Sequence, residues 1–126
     1  ELAVSKAVEM LKSNFSRYDY FYIHFKETDI PGHDNKPHEK VRFIEFIDKK
    51  FFGFLRAFLT EHSTRILVTA DHTTSCRTKS HTAHPVPVLL FDFDKAVNSG
   101  KRFIERDGLL GKRFDGRTLL KKTLLA

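Results

Sequence analysis

Arg65-Ile66-Leu67-Val68-Thr69-Ala70-Asp71-His72-Thr73-Thr74 is the stretch on which the fold turns. Residues 65–70 are a largely apolar run with β-branched members, the pattern of a strand covered on both faces, as in parallel sheets. The run ends at an Asp–His pair. From Asp71 to His84 no hydrophobic residue is larger than Ala83 or Cys76, so a polar loop follows. Upstream, His38 to about Leu59 carries Val41, Ile44, Ile47, Phe51, Leu55, Phe58 and Leu59 on one stripe, widened by Phe43 and Phe54, which predicts a long helix. Residues 26–37 hold Pro31, Gly32, Asn35 and Pro37 and read as a loop. Before them, Tyr18-Asp19-Tyr20-Phe21-Tyr22-Ile23-His24-Phe25 is dense in aromatic residues and predicts a second, largely buried strand. Residues 1–15 space Leu2, Val4, Ala7, Val8, Met10, Leu11 and Phe15 as an amphipathic helix. Downstream, Val86 to Phe91 reads as a short strand, followed by a glycine-punctuated tail and a helical segment around Leu119 to Leu125. The order α-β-loop-α-β-loop-β-α predicts an α/β fold, a mainly parallel sheet with helices on both faces.

Composition narrows the class. A chain of 126 residues, 40% hydrophobic with 13 phenylalanines, can bury one core and is too short for two ordinary domains, so residues 1–126 are expected to be a single segment. Its apolar runs are a few residues long, far below the roughly 20 that span a membrane. Glu1 to Lys6 lacks the basic and apolar regions of a signal peptide. One cysteine, Cys76, permits no internal disulfide and suits a reducing cytoplasm, where it reads as a small buried or half-buried packing residue. The start without methionine suggests a piece of a longer protein. Net charge is +6 with a pI near 9.6, which raises nucleic acid as a partner. Lysines and arginines are spread along the chain without an Arg-rich run, so a solvated basic face that steers an anionic substrate fits better.

Both polar loops follow predicted strands, and ligands of open α/β sheets bind beyond the carboxyl ends of strands. The first loop carries Asp29, His33 and Asp34; the second carries Asp71, His72, His81 and His84. Imidazole mixed with carboxylate suits zinc, manganese and related divalent ions. Plainer readings stand beside this one. Asp29 and His33 could be an Asx turn and a surface histidine, Asp71-His72 a turn at a strand end, and His81 and His84 exposed loop residues. His24 reads as a hydrogen-bonded core histidine, with His38 and His62 at helix ends. A basic module that binds nucleic acid or acidic protein without any enzyme activity is the alternative of a different class.

Tyr22 to Asp34, then Val68-Thr69-Ala70-Asp71-His72-Thr73-Thr74, then His81-Thr82-Ala83-His84-Pro85-Val86-Pro87 resemble the archaeal type of cofactor-independent phosphoglycerate mutase, a family of the alkaline phosphatase superfamily. The resemblance extends through Lys40-Val41 and Ile44 to Asp48 to the tail from Lys101 to Gly116, and corresponds to the C-terminal part of the family's enzyme. Its combination of Asp-x-x-x-His, Asp-His and His-Thr-x-x-Pro-Val-Pro is specific where any one alone is weak. It implies an alkaline-phosphatase-like core and two divalent ions, manganese first, with zinc, cobalt or magnesium compatible. Asp29, His33 and His81 would hold one ion, and Asp71 and His72 the other. It further implies interconversion of 3-phosphoglycerate and 2-phosphoglycerate, a step of glycolysis and gluconeogenesis, through a phosphoserine. The nucleophilic serine belongs to the N-terminal part of the enzyme and has no counterpart here, so partners would be a phosphorylated small molecule and the rest of the same polypeptide. Lys26 is the candidate substrate-binding cation, with a solvent-facing lysine as the plainer reading. The same ligands occur in phosphatases and other phosphomutases of the superfamily, which remain the alternative activities. Departures from the family pattern are Ala70 for a frequent glycine, His84 for an aspartate or asparagine, and Thr74-Ser75-Cys76 for a Thr-Pro-type sequence; none removes a ligand.

Overall fold

The computed structural model describes residues 2–95 and 98–125. Glu1, the expected start of the first helix, lies outside the described residues, as does Ala126 at the end of the expected segment. The chain divides into two compact units, residues 1–58 with 74–81, and residues 59–73 with 82–126.

In the first unit, α1 (Leu2–Asn14) buries Val4 and Leu11, two helical turns apart, and leaves Leu2 and Met10 exposed. A second helical stretch runs through α3 (Pro37–Ile47), a π turn (Asp48–Phe52) and α4 (Gly53–Phe58). Pro37 opens it, where its missing N–H would have no helical partner in any case. Phe51 and Leu55 are buried one turn apart. Val41 and Ile44, expected on the same stripe, are both exposed. The π turn between them and Leu55 explains the difference, since its wider winding swings the later side chains to another face.

The aromatic stretch Tyr18 to Phe25 departs from expectation. It is extended, but it joins no ladder among the described residues of this chain, and it is not largely buried. Only its two phenylalanines are half-buried; Ile23 between them is exposed. Phe21 and Phe25 turn inward, Phe21 stacking on Phe15 at 6.1 Å and Phe25 meeting Phe51 edge-on at 5.1 Å. Tyr18, Tyr20 and Tyr22 are exposed. His24 is exposed too, with its ring 6.3 Å from that of Tyr22, and is not the core histidine expected. Residues 26–37, read as a loop, contain the single turn α2 (Ile30–His33). Within the second predicted loop, β2 (Thr73–Ser75) pairs with β3 (Ser80–Thr82), and the connection between them is too short for anything but an antiparallel hairpin.

In the second unit, β1 (Arg65–Val68) pairs antiparallel with β4 (Leu89–Asp92), Arg65 opposite Asp92 and Val68 opposite Leu89. The predicted mainly parallel sheet is therefore not what the described strands form: they make two antiparallel or hairpin pairs. A parallel neighbour needs a crossover between two ladder-forming segments, and the extended stretch before the long helix forms no ladder. The last strand begins at Leu89 and not at Val86, because Pro85 and Pro87 have no N–H to donate. Arg65 Nε donates to Asp92 Oδ2 across the pair at 3.0 Å. The tail adds α5 (Glu105–Gly108) and the expected helix α6 (Leu119–Thr123), entered through a 3-10 turn that Asp115 caps. Hydrogen bonds from the Arg117 guanidinium and backbone N–H hold the Asp115 carboxyl below its ordinary pKa. No helix among the described residues is long and apolar enough to cross a membrane.

Candidate metal centre

Asp29 lies just before α2, and its carbonyl accepts the amides of Gly32 at 2.9 Å and His33 at 3.2 Å. One helical turn separates Asp29 from His33, which sets both side chains on one face. His81 comes from β3 of the hairpin. The three converge: His33 Nε2 is 3.4 Å and His81 Nε2 3.7 Å from Asp29 Oδ1, and the two Nε2 atoms are 3.2 Å apart. Among the described residues this is the group of acidic and imidazole side chains whose ligand atoms gather closely enough for an ion, all within 4.8 Å of one another.

The distances test the fit to a cation. Ligands about 2.1 Å from a tetrahedral ion lie about 3.4 Å from one another, so this trio already has the edges of a coordination polyhedron. The tautomer agrees. His33 Nδ1 is 3.1 Å from the Lys79 carbonyl, which can only accept, so Nδ1 carries the hydrogen and Nε2 is left as the ligand atom. Two ring nitrogens facing each other at 3.2 Å beside a carboxylate need a proton or a cation between them. Asp29 is the most enclosed of the three side chains at 23% exposure, against 41% for His33 and 54% for His81, so one side of the trio is open to a further ligand.

Three residues to which the sequence reading gave no role at the site hold this geometry. Thr74, buried in β2, donates from Oγ1 to Asp29 Oδ1 at 2.5 Å. Lys40 Nζ donates to the Thr74 carbonyl at 2.6 Å. Gly32 lets the helical turn approach the hairpin: a Cβ there would sit 2.8 Å from Thr74 Cγ2 and 2.9 Å from its carbonyl oxygen. The β-branched pair Thr73-Thr74 was the available sign of a strand inside the polar loop. Cys76 is half-buried, its Sγ 3.8 Å from the Pro31 carbonyl, in keeping with a packing role.

The remaining candidates are not members of this trio. Asp71 and His72 belong to the second unit, where the Asp71 carboxylate accepts the His72 amide at 3.0 Å and lies 3.3 Å from His72 Nε2. They form a pair offering one carboxylate and one imidazole. Lys26 is exposed in the first unit, and its carbonyl accepts the Asp29 amide at 3.1 Å. His84 is exposed and bonds through Nδ1 to Thr82 Oγ1 at 2.9 Å.

Residues 1–113 match the family described as Metalloenzyme superfamily. A Pyrococcus abyssi protein named 2,3-bisphosphoglycerate-independent phosphoglycerate mutase is 41% identical over 106 residues, 84% of this chain and 25% of its own length. A Pyrococcus furiosus protein of the same name is 36% identical over 106 residues, again 84% of this chain and 25% of its own. A solved structure, that of the PH0037 protein from Pyrococcus horikoshii, superposes with a TM-score of 0.78 at 35% identity, covering 97% of this chain and 36% of that one. The chain thus spans about a quarter of the length of these curated relatives.

Proposed function

Since this chain belongs to the Metalloenzyme superfamily, we propose that it is the metal-ligand portion of a 2,3-bisphosphoglycerate-independent phosphoglycerate mutase acting in the cytoplasm. The complete polypeptide interconverts 3-phosphoglycerate and 2-phosphoglycerate through a phosphoserine, and its nucleophilic serine comes from sequence outside this chain. The convergence of Asp29, His33 and His81 carries the proposal, and the names of relatives at 36–41% identity support phosphoglycerate as the substrate.

In this reading Asp29, His33 and His81 hold one divalent ion, and Asp71 and His72 contribute to a second, with manganese as the first choice. Such ions stabilise the negative charge of a transferring phosphoryl group. The chain's own residues do the positioning. The Lys79 carbonyl fixes the ring of His33, and the helical turn at residues 30–33 keeps carboxylate and imidazole in register. Lys26 offers a cation to an anionic group of the substrate. On this reading Tyr18 to Phe25 becomes a strand of a mainly parallel, helix-covered sheet whose neighbouring strand comes from the rest of the polypeptide; its extended backbone and the exposure of Tyr18, Tyr20, Tyr22 and Ile23 support this.

The test uses the complete gene product. Metal content by mass spectrometry and mutase turnover are measured for the wild type, Asp29→Asn and His33→Ala. Loss of about one bound ion per chain in each variant, with turnover down at least a hundredfold, is the expected result. Undiminished metal content in both variants, or a preference for a nucleotide or pentose phosphate over phosphoglycerate, overturns it.

A further inference from the structure

We propose that Thr74 is a positioning residue of the metal centre, its hydroxyl fixing the rotamer in which Asp29 shares a cation with His33 and His81. The inference rests on the reading of that trio as a cation site and not on the identity of the substrate.

A carboxylate that ligates an ion must point to it before the ion arrives, or the ordering of its two side-chain torsions is subtracted from affinity. Asp29 Oδ1 is the atom nearest to both imidazole nitrogens, and the same atom accepts the Thr74 hydroxyl. A hydrogen bond to an ionised acceptor is stronger than a neutral one. The donor is itself held. Thr74 is 5% exposed, its β-branched side chain has few rotamers, and its carbonyl takes the Lys40 ammonium at 2.6 Å. Gly32 presses on the other side: Thr74 Cγ2 and the Thr74 carbonyl occupy the space that a larger residue at position 32 would need. The threonine is therefore pinned by a lysine on its backbone carbonyl and a helical turn against its methyl, and its hydroxyl points at Asp29. Supporting hydrogen bonds of this kind are worth about 10–100-fold in metal affinity.

The experiment titrates Mn2+ into the chelator-stripped complete protein by calorimetry, reading the site that Asp29→Asn abolishes. Thr74→Val keeps the shape and removes the donor; Thr74→Ser keeps the donor and removes the methyl. Expected are a 10–100-fold weaker site in Thr74→Val and a site within about threefold of wild type in Thr74→Ser. The melting temperature of the metal-free Thr74→Val protein, compared with that of Thr74→Ser, checks that the loss is not a folding defect. Thr74→Ala, which removes the hydroxyl without added volume, serves in place of a valine variant that misfolds. Wild-type affinity in Thr74→Val or Thr74→Ala overturns the proposal, and so does a Thr74→Ser site as weak as that of Thr74→Val. If Asp29→Asn abolishes no Mn2+ site, the cation reading itself fails, which is a separate outcome.

Discussion

Single residues decide how tightly Asp29, His33 and His81 are drawn together, and Gly32 makes the point by what it lacks. Its backbone needs no special conformation; the constraint is space, with a Cβ arriving 2.8 Å from one Thr74 atom and 2.9 Å from another that is backbone. Gly32→Ala should destabilise the protein by about 1–3 kcal/mol, the usual cost of overpacking. A urea denaturation series would read it, and a change below about 0.5 kcal/mol would mean that the hairpin can retreat freely. The members of the trio, Asp29, His33 and His81, were conspicuous in the sequence as carboxylate and imidazole in polar loops. Their supports were not: the Lys79 carbonyl and the Lys40 ammonium act across 46 and 34 residues, and no local pattern announces such a pairing.

Elements show the same division between local and distant causes. Helices came out of the periodicity well, since a helix closes its hydrogen bonds within itself. The long one spans Pro37–Phe58, close to the expected range, although its π turn redirects the stripe. Phe51, buried and edge-on to Phe25 and Phe52, should cost about 3–5 kcal/mol on replacement by alanine. Ile44→Ala, at an exposed position of the same helical stretch, should stay within about 0.5 kcal/mol when read in the same denaturation assay. Similar losses at both positions would contradict the rotation of the stripe. Strands were less legible. Tyr18 to Phe25 has strand composition and an extended backbone, but a ladder is a property of two segments, and composition describes one. The hairpin of β2 and β3 was hidden in a polar stretch because its residues are held by backbone pairing and by the site, not by an apolar face.

For the whole molecule, α/β content and family followed from the order of elements and from the three motifs together, whereas the parallel sheet did not appear among the described strands. The proposal that residues 18–25 pair with another part of the polypeptide predicts hydrogen exchange. Their amides should exchange at least a hundredfold more slowly in the complete protein than in the 126-residue chain, where the tyrosine face is exposed. Equal rates in both would remove that strand from the sheet. The trio itself has a consequence for how the protein is made. Its two imidazoles are 48 residues apart in the sequence, and the segment 59–73 that intervenes belongs to the other compact unit. On the proposed reading, the turn bearing Asp29 and His33 is made first and supplies two of the three ligands. On that reading the three-ligand site is complete only once the hairpin bearing His81 has been made, 48 residues after His33.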